Sequence, residues 1–196
     1  MEKNFVNPSY KLIIFGGSAG SLDALISIFS MLKPSLNIPI IIVLHRNNYP
    51  NESLAQVLAA KTFLQVKEAD EKEIPVAGNV YIAPPDYHLL FEKDYSLSLD
   101  DTEKFRFSRP SIDVSFQSAA GVFKTSLVGI LLSGSNADGS DGIAEIKQQG
   151  GLTIIQDPTD AMFDQMPLQA LKKAPVDKIL SAVEIAEFLN HLNEPV

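Results

Sequence analysis

Short apolar runs alternate with amphipathic segments along most of the chain. Four of these runs are almost entirely aliphatic, as are the buried strands of parallel sheets: residues 11–15, 39–44, 127–132 and 152–155. The segments after them carry apolar residues three or four apart, which is typical of helices packed on a sheet. The alternation predicts a doubly wound α/β fold with a mostly parallel sheet and helices on both faces. We expect one domain over residues 1–196, with residues 1–10 as a short extension.

The middle of the chain departs from this rhythm. Short strand-like pieces lie between residues 64 and 99, separated by the turn signals Ala77-Gly78-Asn79 and Pro84-Pro85-Asp86. We interpret them as a small antiparallel excursion near residues 79–99. Helical spacing and helix-end signals predict helices over 22–32 and 51–60, from Pro110 onward, around residues 143–146 with Gly150 at the end, and over 185–192.

Composition excludes several classes of site. Of the 196 residues, 45% are hydrophobic and none is cysteine, which rules out disulfides, thiol nucleophiles and thiolate metal sites. The charged residues give a net charge of −8 and are scattered along the chain without a basic run. Nucleic acid and anionic membranes are therefore poor partners. No apolar stretch reaches the ~18 residues of a membrane span, and no signal peptide begins the chain. We expect a cytoplasmic protein without a metal ion or a cofactor.

Polar residues follow three of the predicted strands, at the sheet edge where doubly wound folds bind their ligands. The first strand runs into Gly16-Gly17-Ser18-Ala19-Gly20, a G-x-S-x-G pattern. His45 follows the second strand, and the loop 134–139 follows the strand over 127–132. Gly17 and Gly20 permit the tight strand-to-helix turn that exposes a serine hydroxyl.

These features together predict a catalytic triad. A neutral histidine can take the proton of a serine hydroxyl, while a carboxylate orients the imidazole and stabilises the imidazolium. We assign Ser18 as the nucleophile, His45 as the base and Asp138 as the orienting acid. The N–H of Ala19, which follows the nucleophile, is the candidate oxyanion donor.

A glycine-rich first turn also suits phosphate binding, so a nucleotide-binding module is the alternative. A Walker loop requires Gly-Lys-Ser/Thr, which is absent. In the dinucleotide fingerprint the glycine positions are occupied by Gly16, Ser18 and Ser21. Arg46 could meet a 2′-phosphate, which leaves an NADP-like interpretation open.

The loop before the fourth predicted helix has competing interpretations as well. Asn136–Asp141 resembles a calcium loop, but its sixth position is Asp141 and its twelfth is Lys147, so we reject calcium. Asp141 competes with Asp138 for the triad, and Asp138, Ser140 or Asp141 could instead cap the helix. We favour Asp138 because it lies nearer the strand end.

The remaining histidines have simpler interpretations. His88 follows Pro84-Pro85-Asp86 and is either an alternative base, a substrate contact or a structural turn residue. We favour the structural role. His191 lies off the apolar stripe of the last helix and is expected at the solvated surface.

Several short motifs occur in a fixed order from about residue 10 to 190: Gly16–Gly20, Leu44-His45, Tyr81–Pro84 with Tyr87-His88, Arg109–Asp113, Gly134 with Asp138-Gly139, and Met166-Pro167. In these motifs the chain resembles the catalytic domain of the chemotaxis protein-glutamate methylesterases (CheB-type). The resemblance implies a serine hydrolase that releases methanol from glutamate γ-methyl esters on chemoreceptor cytoplasmic helices. Many members of this family also deamidate receptor glutamines.

The resemblance implies the same triad of Ser18, His45 and Asp138. The chain departs from the family's usual motifs in two places. In the loop that usually reads G-M-G-x-D-G, this chain has Ser135 in place of Met and Asn136 in place of Gly. The family's F-G-M-P also appears without its glycine, over residues 163–167.

These departures bear on how a substrate fits the site. We expect the pocket to involve Ser135, Asn136, Arg109 and His88.

The expected partner is the methylated cytoplasmic domain of a chemoreceptor. Only about ten residues precede the first strand, so we expect no receiver domain in this chain. The alternatives are a stand-alone enzyme, regulation by a separate receiver or kinase protein, and a piece of a longer protein. A second alternative is a docking or scaffold protein of a chemosensory complex.

Overall fold

The computed structural model describes residues 10–45, 54–106 and 108–192. Its strands, numbered in chain order, are β1 (Leu12–Gly17), β2 (Ile40–Leu44), β3 (Gln65–Glu68), β4 (Asn79–Ile82), β5 (His88–Phe91), β6 (Leu97–Asp100), β7 (Leu127–Leu131), β8 (Leu152–Gln156) and β9 (Lys178–Leu180). Seven of them form a sheet in the order β3-β4-β2-β1-β7-β8-β9, and every neighbouring pair is parallel.

Helices cover both faces of this sheet, which confirms the predicted doubly wound fold. They are α1 (Ser21–Met31), α2 (Leu54–Ala59), α3 (Ile112–Phe123), α4 (Ser140–Gln148), α5 (Gln165–Lys173) and α6 (Ala182–His191). Helices α1, α2 and α6 pack on one face, and α3, α4 and α5 pack on the other. Alternate residues of β1 enter the two cores, so the strand is apolar along its whole length. Among the helices of the described residues, none has the length and hydrophobicity needed to cross a membrane.

The antiparallel excursion is present and is narrower than its expected range. Strands β5 and β6 pair antiparallel and pack against α3, where the rings of Phe91 and Phe123 meet edge to face with centroids 5.4 Å apart. Residues 79–82 instead form β4, which joins the parallel sheet between β2 and β3. The apolar β4 is buried between two neighbouring strands, a position that its length and flanking turns do not reveal.

Two elements near the C-terminus have no counterpart in the sequence prediction. Helix α5 contains Pro167 in its first turn, and its exposed positions include Leu168 beside polar residues. Strand β9 is three residues long and only partly buried. The helix expected over 51–60 is present over Leu54–Ala59, while residues 51–53 lie outside the described ranges. The helix expected from Pro110 begins at Ile112, with Ser111 as its N-cap.

A glycine at the end of β1 allows α3 to approach the strand closely. A Cβ atom on Gly16 would lie 2.4 Å from Ile112 Cγ2 and 2.8 Å from Phe116 Cζ. Both contacts are far below van der Waals distance, so only glycine fits without movement of these two side chains or of the helix that carries them. The first turn of α3 therefore reaches the edge of the sheet where β1 and β2 end.

We expect Gly16→Ala to destabilise the protein by about 1–3 kcal/mol, because the added methyl group overpacks this contact. The matched control is Gly121→Ala, in the same helix, where nothing lies within 4 Å of the added Cβ. There the change should stabilise by roughly 0.5–1 kcal/mol, because alanine loses less conformational freedom on folding than glycine. Urea unfolding followed by circular dichroism gives both values. Equal effects of the two substitutions would contradict the close packing of β1 on α3.

Candidate active site

The carboxyl ends of β1 and β2 place Ser18 and His45 on neighbouring backbone positions. Gly17 and Leu44 are register partners at the ends of these strands, and each directly precedes one of the two residues. The His45 N–H donates to the Gly17 carbonyl across 3.3 Å. Because paired strands run about 4.8 Å apart, the two side chains begin close together. Arg46, on which the NADP-like alternative depends, lies outside the described residues.

Ser18 lies on the tight turn between β1 and α1. Its N–H donates to the Ser133 carbonyl at 2.9 Å, and its carbonyl accepts the Ser21 hydroxyl at 2.6 Å. Gly20 precedes α1 with a φ of 75°, and no side chain caps this helix start. The first N–H groups of such a helix carry partial positive charge. An oxyanion held beside Ser18 by the Ala19 N–H would lie in this favourable field.

Asp138 connects the base to the start of α3. The distance from its Oδ2 to His45 Nε2 is 2.6 Å, and the carboxylate is only 3% exposed. The N–H groups of Ile112 and Asp113 donate to the same carboxylate at 2.8 and 3.0 Å. The Ser111 hydroxyl donates to it at 3.0 Å. Asp138 thus binds the unpaired N–H groups of one helix while it orients the imidazole.

These donors keep the carboxyl of Asp138 ionised. Burial raises its pKa, but the hydrogen bonds from His45 and from the N–H groups of Asp113 and Ile112 outweigh burial and lower the pKa to about 2. An ionised carboxylate accepts hydrogen bonds only, so the proton between the two side chains belongs to His45 Nε2. The other ring nitrogen, Nδ1, is then the acceptor.

A second carboxylate, Asp113, is buried directly behind Asp138. Burial raises the pKa of Asp113 to about 6, the hydrogen bond from the Gly142 N–H opposes this shift, and the negative charge of Asp138 adds to it. Arg106 Nη1 lies 3.3 Å from Asp113 Oδ2, but this guanidinium is half exposed and does not reverse the effect of burial. The two carboxylates therefore titrate on opposite sides of the usual aspartate range.

Asn136 contacts both residues of the base–acid pair. Its Nδ2 lies 3.2 Å from His45 Nδ1, and its Oδ1 accepts the backbone N–H of Asp138 at 3.0 Å. Ser135, the neighbouring substitution in this loop, is exposed. Asn136 therefore reaches the imidazole itself, while a pocket role of Ser135 stays a prediction.

His88 and Arg109 are engaged in structural contacts. His88 is buried, its Nδ1 accepts the Ser111 N–H at 3.1 Å, and its Nε2 donates to the Glu103 carbonyl at 3.2 Å. Arg109 donates to the carbonyls of Asp101 and Thr102. This geometry favours the structural interpretation of His88, which supports Ser111 and through it Asp138. A substrate contact of either residue stays a prediction.

The competing residues lie away from the imidazole. Asp141 binds Arg106 at 2.8 Å and Lys173 at 2.6 Å on the outer side of α4. Gly139, with a φ of 90°, is the N-cap of α4, and no side chain makes a capping hydrogen bond there. Asp138 does cap a helix, but that helix is α3. His191 is exposed at the end of α6, as its position off the apolar stripe predicts.

Two residues of the site were not identified from the sequence. Ser111 and Asp113 are polar residues that lie fully buried at the start of α3. Both occur in the motif Arg109–Asp113, and a serine directly before an apolar helical segment is a helix-start signal. That signal locates the helix, but its partner Asp138 is distant in the sequence. Among the described residues, no group of three or more His, Cys, Asp or Glu could hold a metal ion.

The buried Asp113 should make stability depend on pH. Its pKa rises from 3.8 in the unfolded chain to about 6 in the fold. Below 3.8 both states are protonated, whereas above 6 the fold carries a buried charge, so its contribution to stability declines as pH rises between these values. Asp113→Asn removes this decline, and its stability relative to wild type should increase by roughly 3 kcal/mol between pH 3 and 7.5.

Asp141→Asn is the matched control. The hydrogen bond from Lys173 lowers the pKa of Asp141 despite a smaller opposing effect of burial. Wild type should therefore gain stability over this variant as pH rises through the acid range. Chemical unfolding from pH 3 to 7.5 measures both differences. Parallel profiles of wild type and Asp113→Asn would contradict the assignment.

Comparison with known proteins gives this site a family. The profile of the CheB methylesterase family matches residues 13–189. A provisionally named protein-glutamate methylesterase/protein-glutamine glutaminase from Leptospira interrogans is 41% identical to the chain over 186 residues, which is 95% of this chain and 96% of the relative. Protein-glutamate methylesterase FrzG from Myxococcus xanthus is 32% identical over 93% of this chain and 54% of its own length.

A solved structure agrees with the sequence relatives. The crystal structure of the Thermotoga maritima CheB methylesterase catalytic domain superposes with a TM-score of 0.88 at 32% identity. The match covers 94% of this chain and 99% of that one. The chain belongs to the CheB methylesterase family.

Proposed function

We propose that this protein is a protein-glutamate methylesterase that uses Ser18, His45 and Asp138 as its catalytic triad. The observation that carries the proposal is the buried 2.6 Å hydrogen bond between His45 and Asp138, at the strand ends where the Ser18 turn lies. An ionised, fully solvated carboxylate would not order the imidazole in this way. Membership of the CheB methylesterase family supports the same chemistry.

In the first half-reaction, Ser18 Oγ attacks the ester carbonyl and forms an ester bond to the glutamate side chain. Its proton passes to His45 Nδ1, because Nε2 is bound to Asp138. The carbonyl oxygen becomes an oxyanion near the start of α1, where the Ala19 N–H can donate to it. The methoxy group then leaves with the proton of His45 as methanol.

In the second half-reaction, water hydrolyses the acyl-enzyme. His45 Nδ1 takes a proton from the water, whose oxygen attacks the carbonyl carbon. The bond to Ser18 Oγ breaks, the proton returns to that oxygen, and a glutamate carboxylate is released. The same steps with a primary amide release ammonia, so we propose glutamine deamidation as a second activity of this site.

The substrate that suits this chemistry is the methylated cytoplasmic domain of a chemoreceptor. We accordingly propose that the protein acts in the cytoplasm. A separate receiver or kinase protein is the proposed regulatory partner. The net charge of −8 favours a regulatory partner with a basic docking surface.

Ser18→Ala should abolish methanol release from a methylated receptor cytoplasmic fragment, because it removes the attacking oxygen. The matched control is Ser30→Ala, since the Ser30 hydroxyl is exposed and donates only to the Ser27 carbonyl of its own helix. This control should release methanol at the wild-type rate. Methanol release at pH 7.5 is measured, with ammonia release from an unmodified fragment beside it.

The outcomes separate the alternatives. Release by wild type and Ser30→Ala but not by Ser18→Ala supports the proposal. Binding of the receptor fragment without release by any form would favour the docking or scaffold alternative. Binding of a dinucleotide that survives Ser18→Ala would favour the nucleotide-binding alternative.

Asp138→Asn should lower kcat by a factor on the order of 10³–10⁴, as expected when an imidazole is held in the wrong tautomer. The amide NH₂ cannot accept the proton of His45 Nε2, so the ring must carry its proton on Nδ1 instead. Asp141→Asn is the control, because that carboxylate binds Arg106 and Lys173 outside the site. Similar kcat values for both variants in steady-state assays would contradict the role of Asp138.

A further inference from the structure

The imidazole of His45 has one nitrogen left for catalysis, and a side chain of the enzyme already contacts it. Nε2 donates to Asp138 at 2.6 Å. Nδ1 is therefore the acceptor that has to receive the proton of Ser18. Asn136 Nδ2 lies 3.2 Å from this same nitrogen.

The orientation of the Asn136 amide is fixed by its second contact. Its Oδ1 accepts the N–H of Asp138 at 3.0 Å, so the NH₂ group faces the imidazole. Rotating the amide by half a turn would point the NH₂ group at a backbone N–H and lose this hydrogen bond. The amide is thus a hydrogen-bond donor toward His45.

We propose that Asn136 is a positioning residue that occupies the lone pair of His45 Nδ1 in the free enzyme and has to withdraw before Ser18 can transfer its proton. A pyridine-type ring nitrogen has one in-plane lone pair, so it accepts from one donor at a time. The amide orients the imidazole, and it competes with the Ser18 hydroxyl for the same nitrogen. This inference rests on the proposed triad and goes beyond it.

The competition for His45 Nδ1 requires a side chain at position 136 that is long enough to reach the imidazole. A glycine at position 136, the residue that the resemblance leads one to expect, has no group that reaches His45. Asn136 is only partly buried and lies in the loop between β7 and α4, so the proposal requires a bound substrate to displace its amide from His45 Nδ1. The enzyme would then become reactive when the substrate arrives.

Two substitutions separate this role from a structural one. Asn136→Ser retains an oxygen that can accept the Asp138 N–H, because serine and asparagine form the same kind of local turn. Its side chain is too short to donate to His45. Asn136→Asp also retains this acceptor, but it places a carboxylate oxygen where the donor was, which favours the protonated imidazole.

The first measurement is the rate at which Ser18 reacts with a small fluorophosphonate. In this reaction the Ser18 oxygen bonds to phosphorus, fluoride leaves, and the proton goes to His45. We expect Asn136→Ser to react roughly 3- to 10-fold faster than wild type, as the loss of one neutral hydrogen bond implies. Asn136→Asp should react more slowly than wild type. A purely structural role predicts instead that Asn136→Asp resembles wild type and that neither variant is faster.

The second measurement is the ¹⁵N resonance of His45 Nδ1. In Asn136→Ser it should move downfield, toward the position of a ring nitrogen without a hydrogen-bond donor. An unchanged resonance, or a rate equal to or below that of wild type, would overturn the inference. Thermal unfolding of both variants checks that the fold is retained, and Asn136→Ala with the same two readouts replaces either variant that does not fold.

The outcomes also distinguish this inference from the proposed function. If wild type releases no methanol from the receptor fragment but Ser18 reacts faster in Asn136→Ser, the substrate assignment fails and the role of Asn136 stands. If methanol is released and the rates of wild type and Asn136→Ser are equal, the esterase stands and the competition fails. If Ser18 does not react with the probe and no methanol is released, both the inference and the proposed function are overturned.

Discussion

The carboxylate of Asp138 is the group on which the arrangement of the site depends. It accepts hydrogen bonds from His45, from the Ser111 hydroxyl and from the first N–H groups of α3. One buried group therefore fixes the imidazole and joins two elements that are distant in the sequence. Burial of an unpaired charge is strongly unfavourable. Losing any one of these donors therefore raises the free energy of the buried carboxylate that the other donors bind.

Glycines make this arrangement sterically possible. The N-terminus of α3 can donate to Asp138 only because its first turn lies against Gly16, where a side chain would collide with Ile112 and Phe116. Gly20 performs a different task, because its φ of 75° turns the chain from β1 into α1 directly after Ser18. The G-x-S-x-G pattern thus has two structural reasons, close helix packing and a left-handed turn, beside its role in exposing a hydroxyl.

The sequence predicts the parts of this molecule that follow from local pattern. Strands β1, β2, β7 and β8 are almost wholly buried, and their largely apolar runs identify them. Ser18, His45 and Asp138 could be grouped because carboxyl ends of parallel strands share one edge. Short or half-exposed elements such as β9 have too few apolar residues in a regular pattern to be predicted from the sequence. The contact of Asp138 with the start of α3 could not be inferred either, since the helix that supplies these N–H groups lies far away along the chain.

The paired carboxylates show how the same environment can stabilise one charge and disfavour its neighbour. Asp138 and Asp113 are both buried, yet several donors hold Asp138 ionised while Asp113 has one backbone donor and a half-exposed guanidinium. The N–H of Asp113 is itself a donor to Asp138, so the two residues cannot be separated by small shifts of α3. Asp113 therefore lowers stability near neutral pH at the position that orders the base, as expected where a site's electrostatics take precedence over stability.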